Sequence, residues 1–169
     1  ANRYASLAIR YQAGALESVL VADTTDWGNT AGPNQNDGWT VTFGGNYTLD
    51  NGLKLLAFYQ QFENQSLFTK ARAGVGLAGI EAVAGSKGYS YVTGWGAGIG
   101  ANYPVAGGVA RLGINHREMD NELDVDFTRT TVGTAFDYPL SKRTALYTMA
   151  GWSQEKVENQ GVEATPNGW

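Results

Sequence analysis

The sequence has no cysteine, one histidine, only four prolines and a charged fraction of 17 %. Without cysteine there can be no disulfide framework, thiol nucleophile or thiolate-bound metal. The lone His116 is followed by Arg117 and Glu118, and it has none of the convergent partners that a metal site or a histidine-dependent triad needs. The spacing instead makes it an interface residue near the outer aqueous side. No apolar run approaches the roughly 18 residues of a membrane-spanning helix. Net charge is −4, with a pI near 4.9, which argues against a general nucleic-acid or anionic-membrane surface. The opening "ANRYASLAIRYQ" lacks a basic segment leading into a hydrophobic run, so a secretory signal is absent or already removed.

Other motifs are weak. "GVGLAG" at 74–79 matches the spacing of a dinucleotide fingerprint, but no strand pattern precedes it and no acidic residue follows at the required distance. A single helical turn over 80–84, within an outer loop, is the simpler expectation. "NYT" and "NQS" fit a glycosylation triplet and carry no further signal. The acidic run Glu118, Asp120, Glu122, Asp124 and Asp126 is either a solvated loop or a divalent-cation site bridging lipopolysaccharide. With no nucleophile arranged near His116, no catalytic residue, cofactor or metal is expected.

What the chain does have is glycine (23 residues), tyrosine (nine) and tryptophan (five), arranged with a period of two. Leu7, Ile9 and Tyr11 alternate with Ser6, Ala8 and Arg10. Trp39, Val41, Phe43 and Tyr47 alternate with Thr40, Thr42 and Asn46. Trp95, Ile99 and Tyr103 alternate with glycines, and Val132, Phe136 and Tyr138 oppose Arg129, Thr131 and Asp137. Side chains alternate across a strand, so these segments are strands with one apolar and one polar or small face. Each is expected to end at its tyrosine (Tyr11, Tyr47, Tyr103, Tyr138), turn tightly and return over 16–22, 53–62, 109–117 and 145–154. The return strand at 53–62 is apolar on both faces, which leaves its facing ambiguous. The opposite connections, 23–38, 63–88 and 118–124, are longer and polar, and the chain stops within a fourth.

Eight strands that alternate short turn and long loop, with four tyrosines at one level, fit an all-β antiparallel transmembrane barrel with an aromatic girdle. A soluble sandwich accounts less well for the turn asymmetry. In this frame "FDYPLSKRTALY" (136–147) is a strand end, a turn carrying cations at headgroup level and a new strand. Arg10, Arg111 and Arg129 fall on polar faces, where lipid would cost about 2–4 kcal/mol each near the midplane. They therefore face a lumen, joined by Asp137 and, less securely, by Lys54. Two readings of these arginines stand: a cationic wall that biases ion passage, or cations neutralised by Asp126, Asp137 or absent carboxylates. The glycine face at 94–100 is expected to be bare, which suits a wide wall better than a narrow barrel filled by side chains.

"YPLSKRTALY" (138–147) closely resembles the late strand–turn–strand motif of Gram-negative general porins, and "YQAGALESVLVA" resembles their "Y-x-x-G-P-L" turn, with Ala15 in place of proline. The resemblance covers essentially the whole chain. It implies a 16-stranded, trimeric, water-filled outer-membrane channel in contact with lipid and lipopolysaccharide, passing small hydrophilic solutes and ions. The motif there precedes one last strand, so residues 1–169 would be a single-domain fragment matching about the eighth to fifteenth strands, without the constriction loop. Such a fragment is expected not to fold alone, because its terminal strands present bare edges. The alternative is a small closed eight-stranded barrel acting as an anchor or adhesin.

Overall fold

A computed structural model describes residues 3–26, 37–67, 90–121, 125–159 and 162–164. The short helix expected at 80–84 and the residues at 74–79, Glu122 and Asp124 lie outside the described residues. The chain forms one antiparallel meander in strictly sequential order. Its strands are β1 (Arg3–Ala13), β2 (Leu16–Asp26), β3 (Gly38–Thr48), β4 (Lys54–Leu67), β5 (Ser90–Val105), β6 (Gly108–Asn121), β7 (Val125–Ser141), β8 (Thr144–Asn159) and the three-residue β9 (Val162–Ala164). All eight expected strands are present. The ninth, unforeseen in sequence, pairs with the end of β8. Among the described residues β1 pairs only with β2, and β8 only with β7 and β9, so the eight strands do not close on themselves.

The strands outrun their tyrosines. β5 continues through Pro104 to Val105, and β7 continues through Pro139 and Leu140 to Ser141. The β7–β8 ladder skips register between Pro139 and Ser141, a bulge that tolerates a residue with no N–H to donate. The expected Pro-Leu-Ser-Lys-Arg turn therefore shrinks to Lys142 and Arg143, with the Arg143 amide donating to Ser141 Oγ at 3.2 Å. Gly14 (φ 56) opens the two-residue β1–β2 hairpin, and such a left-handed first position is natural to glycine. The β5–β6 hairpin places both Ala106 (φ 51) and Gly107 (φ 77) there, which strains Ala106.

The glycines of β5 are not bare. A Cβ on Gly98 would collide with Asn115 Oδ1 and Phe58 Cε1, and one on Gly94 with the Met119 backbone and side chain. Neighbouring strands lay their side chains over these positions, in the manner of aromatic rescue of strand glycines. By contrast Gly133 has nothing within 4 Å of its would-be Cβ. At the loop end of the polar face, Phe62, Met119, Phe127 and Val157 lie along one ladder row through Gly94, and with Val92 they form a buried apolar cluster.

Gly98→Val should therefore cost about 1–3 kcal/mol through overpacking, read as a lower urea midpoint in detergent. Gly133→Ala should shift it by less than about 0.5 kcal/mol.

Candidate pore-lining face

Directly opposed residues in an antiparallel ladder share a face, so the register sorts every side chain. One face carries Leu7, Ile9, Tyr11, Leu20, Phe43, Leu55, Tyr59, Ile99, Leu112, Val132 and Trp152, all connected through consecutive ladder partners. The other face carries all five charged residues expected to line a pore: Arg10, Lys54, Arg111, Arg129 and Asp137. The ambiguity of 53–62 is resolved by pairing, because Lys54 opposes Thr48 and Asn102. Leu56, Phe58 and Phe62 consequently sit on the polar face.

The arginines are paired to carboxylates on adjacent strands. Arg10 meets Glu17 at 2.6 Å, Arg111 meets Asp137 at 2.5 Å, and Arg129 meets Glu155 at 3.1 Å. Asn46 donates to Glu17 at 3.3 Å and Arg129 Nε donates to Ser153 at 3.1 Å, which extends two of these pairs into networks. Of the two carboxylates named as partners, only Asp137 serves. Asp126 opposes Asp120 and Glu158 on the other face and cannot reach a lining arginine. Four contributors escaped sequence reading, among them Asp23, which lies one residue past the expected end of its strand at 22. Glu17 sits in a return strand whose pattern looked irregular, and Glu155 lies one residue past the expected strand end. Arg117, set above the Phe62 ring at 5.6 Å, continues the alternation of Arg111 and Asn115 and could have been found by extending it. His116 lies on the apolar face as a rim residue, 2.8 Å from Thr130 Oγ1, 3.1 Å from Glu118 Oε1 and 5.6 Å from the Trp95 ring centre.

The four tyrosines all lie on the apolar face, and their positions drift at a constant rate. The row through Tyr11 reaches Gly45 on β3, Ile99 on β5 and Val132 on β7. Tyr47, Tyr103 and Tyr138 lie two, four and six residues beyond those positions, toward the turns. The slanted line through them steps one residue per strand. Trp39 and Trp95 lie eight residues from Tyr47 and Tyr103 on the same strands, and so trace a second, parallel line.

Measured from the tyrosine line, the polar-face charges fall at two levels. Arg10, Glu17, Lys54, Arg111 and Asp137 lie within two residues of it, and Asp23, Arg117, Arg129 and Glu155 lie six to ten residues away. Between them, at three to five residues, the described polar face holds no charged side chain. Five glycines sit there (Gly44, Gly98, Gly100, Gly113, Gly133), and Phe58 is the one ring.

The Gram-negative porin family model matches residues 1–158. The chain belongs to that family. Compared with curated proteins, it has no match. Membership implies an outer-membrane β-structure of a channel family rather than an enzyme family. The porin's Arg111–Asp137 pair is about half exposed on both sides, so Arg111→Met should change the urea midpoint by less than the equivalent of about 1 kcal/mol. A larger loss would give the pair a structural role.

Proposed function

We propose that this chain forms part of the wall of a 16-stranded outer-membrane porin barrel, trimeric when complete, that passes small hydrophilic solutes and ions by diffusion. In this reading residues 1–169 are one segment of that single barrel domain, lipid and lipopolysaccharide contact the apolar face, and water fills the other side. No reaction is involved.

The constant stagger of the aromatic lines carries the reading. Residues at one membrane depth need not be ladder partners when strands tilt. A step of one residue, ~3.3 Å, per strand spacing of ~4.8 Å corresponds to a tilt of about 35°, the value barrels adopt. The eight residues between the lines then span ~27 Å along a strand and ~22 Å along the membrane normal, close to the roughly 25 Å apolar band of outer-membrane barrels. A soluble sheet has no reason to hold tyrosines and tryptophans on two parallel slanted lines. Among the described residues the outer edge of β1 has no partner and that of β8 meets only the three residues of β9, which favours a larger barrel over a closed eight-stranded anchor, since lipid tolerates no unpaired strand edge.

The lining would carry five cations, Arg10, Lys54, Arg111, Arg117 and Arg129, against four carboxylates, Glu17, Asp23, Asp137 and Glu155. Such a wall is nearly neutral and selects weakly, with its Arg–carboxylate pairs masking one another.

Because the sequence has no native cysteine, single cysteines report cleanly on facing. Arg111→Cys and Gly113→Cys should react with a charged, water-soluble thiol reagent. Leu7→Cys, Val41→Cys and Ile99→Cys should react only with a lipid-soluble one, and the reverse pattern would sink the proposal. In planar bilayers, Asp137→Asn and Glu155→Gln should move the reversal potential toward anions, and Arg111→Glu and Arg129→Glu toward cations. Unmoved potentials would remove these pairs as selectivity determinants.

A further inference from the structure

Phe58 is an anomaly on the polar face. It stands at the charge-free level, flanked in its ladder row by Gly44 and Gly98, and it is exposed. With no side chain on either neighbour to hold it upright, the ring leans over Gly98, its Cε1 occupying the space a Cβ would take. The ring therefore covers the Gly98 position while the residue stays exposed. Asn115 leans over the same glycine from the far side, which brings an amide to the ring's edge. A hollow of about 510 Å³ surrounds this arrangement, lined among others by Glu17, Val19, Asn46, Phe58, Asn102 and Asn115. Its size falls within the roughly 300–1,000 Å³ of small-molecule sites, and its make-up, an apolar floor with a few placed polar groups, is theirs too.

We propose that Phe58 and the polar groups around it form a binding subsite for a neutral sugar ring, a substrate class for the channel proposed above. The inference rests on that channel reading, in which the polar face meets water. A sugar ring has an apolar C–H face and hydroxyls around its edge. The face lies on the exposed part of Phe58, and the hydroxyls exchange hydrogen bonds with the amides of Asn115, Asn46 and Asn102 and with the Glu17 carboxylate. A planar hydrocarbon ring would cover Phe58 equally well but would strip water from the amides of Asn102 and Asn115 without offering them a hydrogen bond. A charged solute finds no free counter-ion here, because Glu17 is already engaged by Arg10 and Asn46, and the Arg111–Asp137 and Arg129–Glu155 pairs lie nearer the tyrosines and the tryptophans. The tyrosine level carries three cations against two carboxylates and the tryptophan level two against two, so neither presents a large net charge to a neutral molecule between them.

The test uses the full-length channel in planar bilayers with the trisaccharide raffinose as probe. Wild-type conductance should fall saturably as raffinose is added. Phe58→Leu should raise the half-saturating concentration roughly three- to tenfold, the worth of one aromatic stacking contact, and Phe58→Trp should hold or lower it. Leucine keeps apolar bulk over Gly98, which preserves the fold. A conductance that falls only linearly, or an equal half-saturation in wild type and Phe58→Leu, overturns the subsite. Saturation by benzyl alcohol without saturation by raffinose overturns the assignment to sugars. Phe58→Cys separates the two levels of inference. Labelling from water together with a sugar-insensitive wild type defeats the subsite and leaves the channel standing. Labelling only from lipid defeats both.

Discussion

A slip of one residue at any of the seven ladders from β1 to β8 would exchange the two faces of everything beyond it. A slip between β5 and β6, for example, would turn Arg111 and Arg129 to the side of Ile99 and Tyr103, and would send Leu112 and Trp152 to the side of Asn102. The uninterrupted pairing from Tyr11 through Ser18, Gly45, Ala57, Ile99 and Ile114 to Val132 is therefore the condition on which face polarity, ion pairing and the aromatic lines all depend. Backbone hydrogen bonds hold the sheet together, but the apolar/polar alternation chooses among registers that satisfy those bonds equally.

The chain reverses the arrangement of a soluble domain. Large apolar side chains such as Leu7, Ile9, Ile99 and Leu112 are more than half exposed, and among the described residues the buried apolar set is confined to a few at the loop end. Hydrophobic burial against the chain itself cannot account for this fold. The apolar face needs a partner phase, which lipid around the proposed barrel would supply. The polar face, for its part, is organised by short-range electrostatics: each salt-bridged arginine finds a carboxylate on the next strand, a geometry that only antiparallel neighbours in this register provide.

Much of this was legible in sequence because period-two alternation survives on β1, β3, β5 and β7. It carried the strand count, the side taken by Arg10, Arg111, Arg129 and Asp137, and the common face of the tyrosines. The return strands were harder. β4 reads as apolar throughout because Leu56, Phe58 and Phe62 occupy its polar face, filling space that glycines on β3 and β5 leave open, and only cross-strand pairing reveals that exchange. The same blindness made the β5 glycines look bare, since a gap and the ring filling it lie on different strands. Strand ends were misread at Pro104 and Pro139, where proline signals a turn locally but sits at a bulge or edge pairing in the sheet. Ion pairs such as Arg129–Glu155 depend on register and have no signature in linear spacing.

The buried row of Phe62, Met119, Phe127 and Val157 has a bearing on the mouth of such a channel. Each of its side chains is buried, so it shows no greasy surface to a passing solute. It works instead as a clasp, tying the loop ends of β4, β6, β7 and β8 together two residues beyond Arg117 and Arg129, and it would hold the rim firm where the long connections leave the sheet.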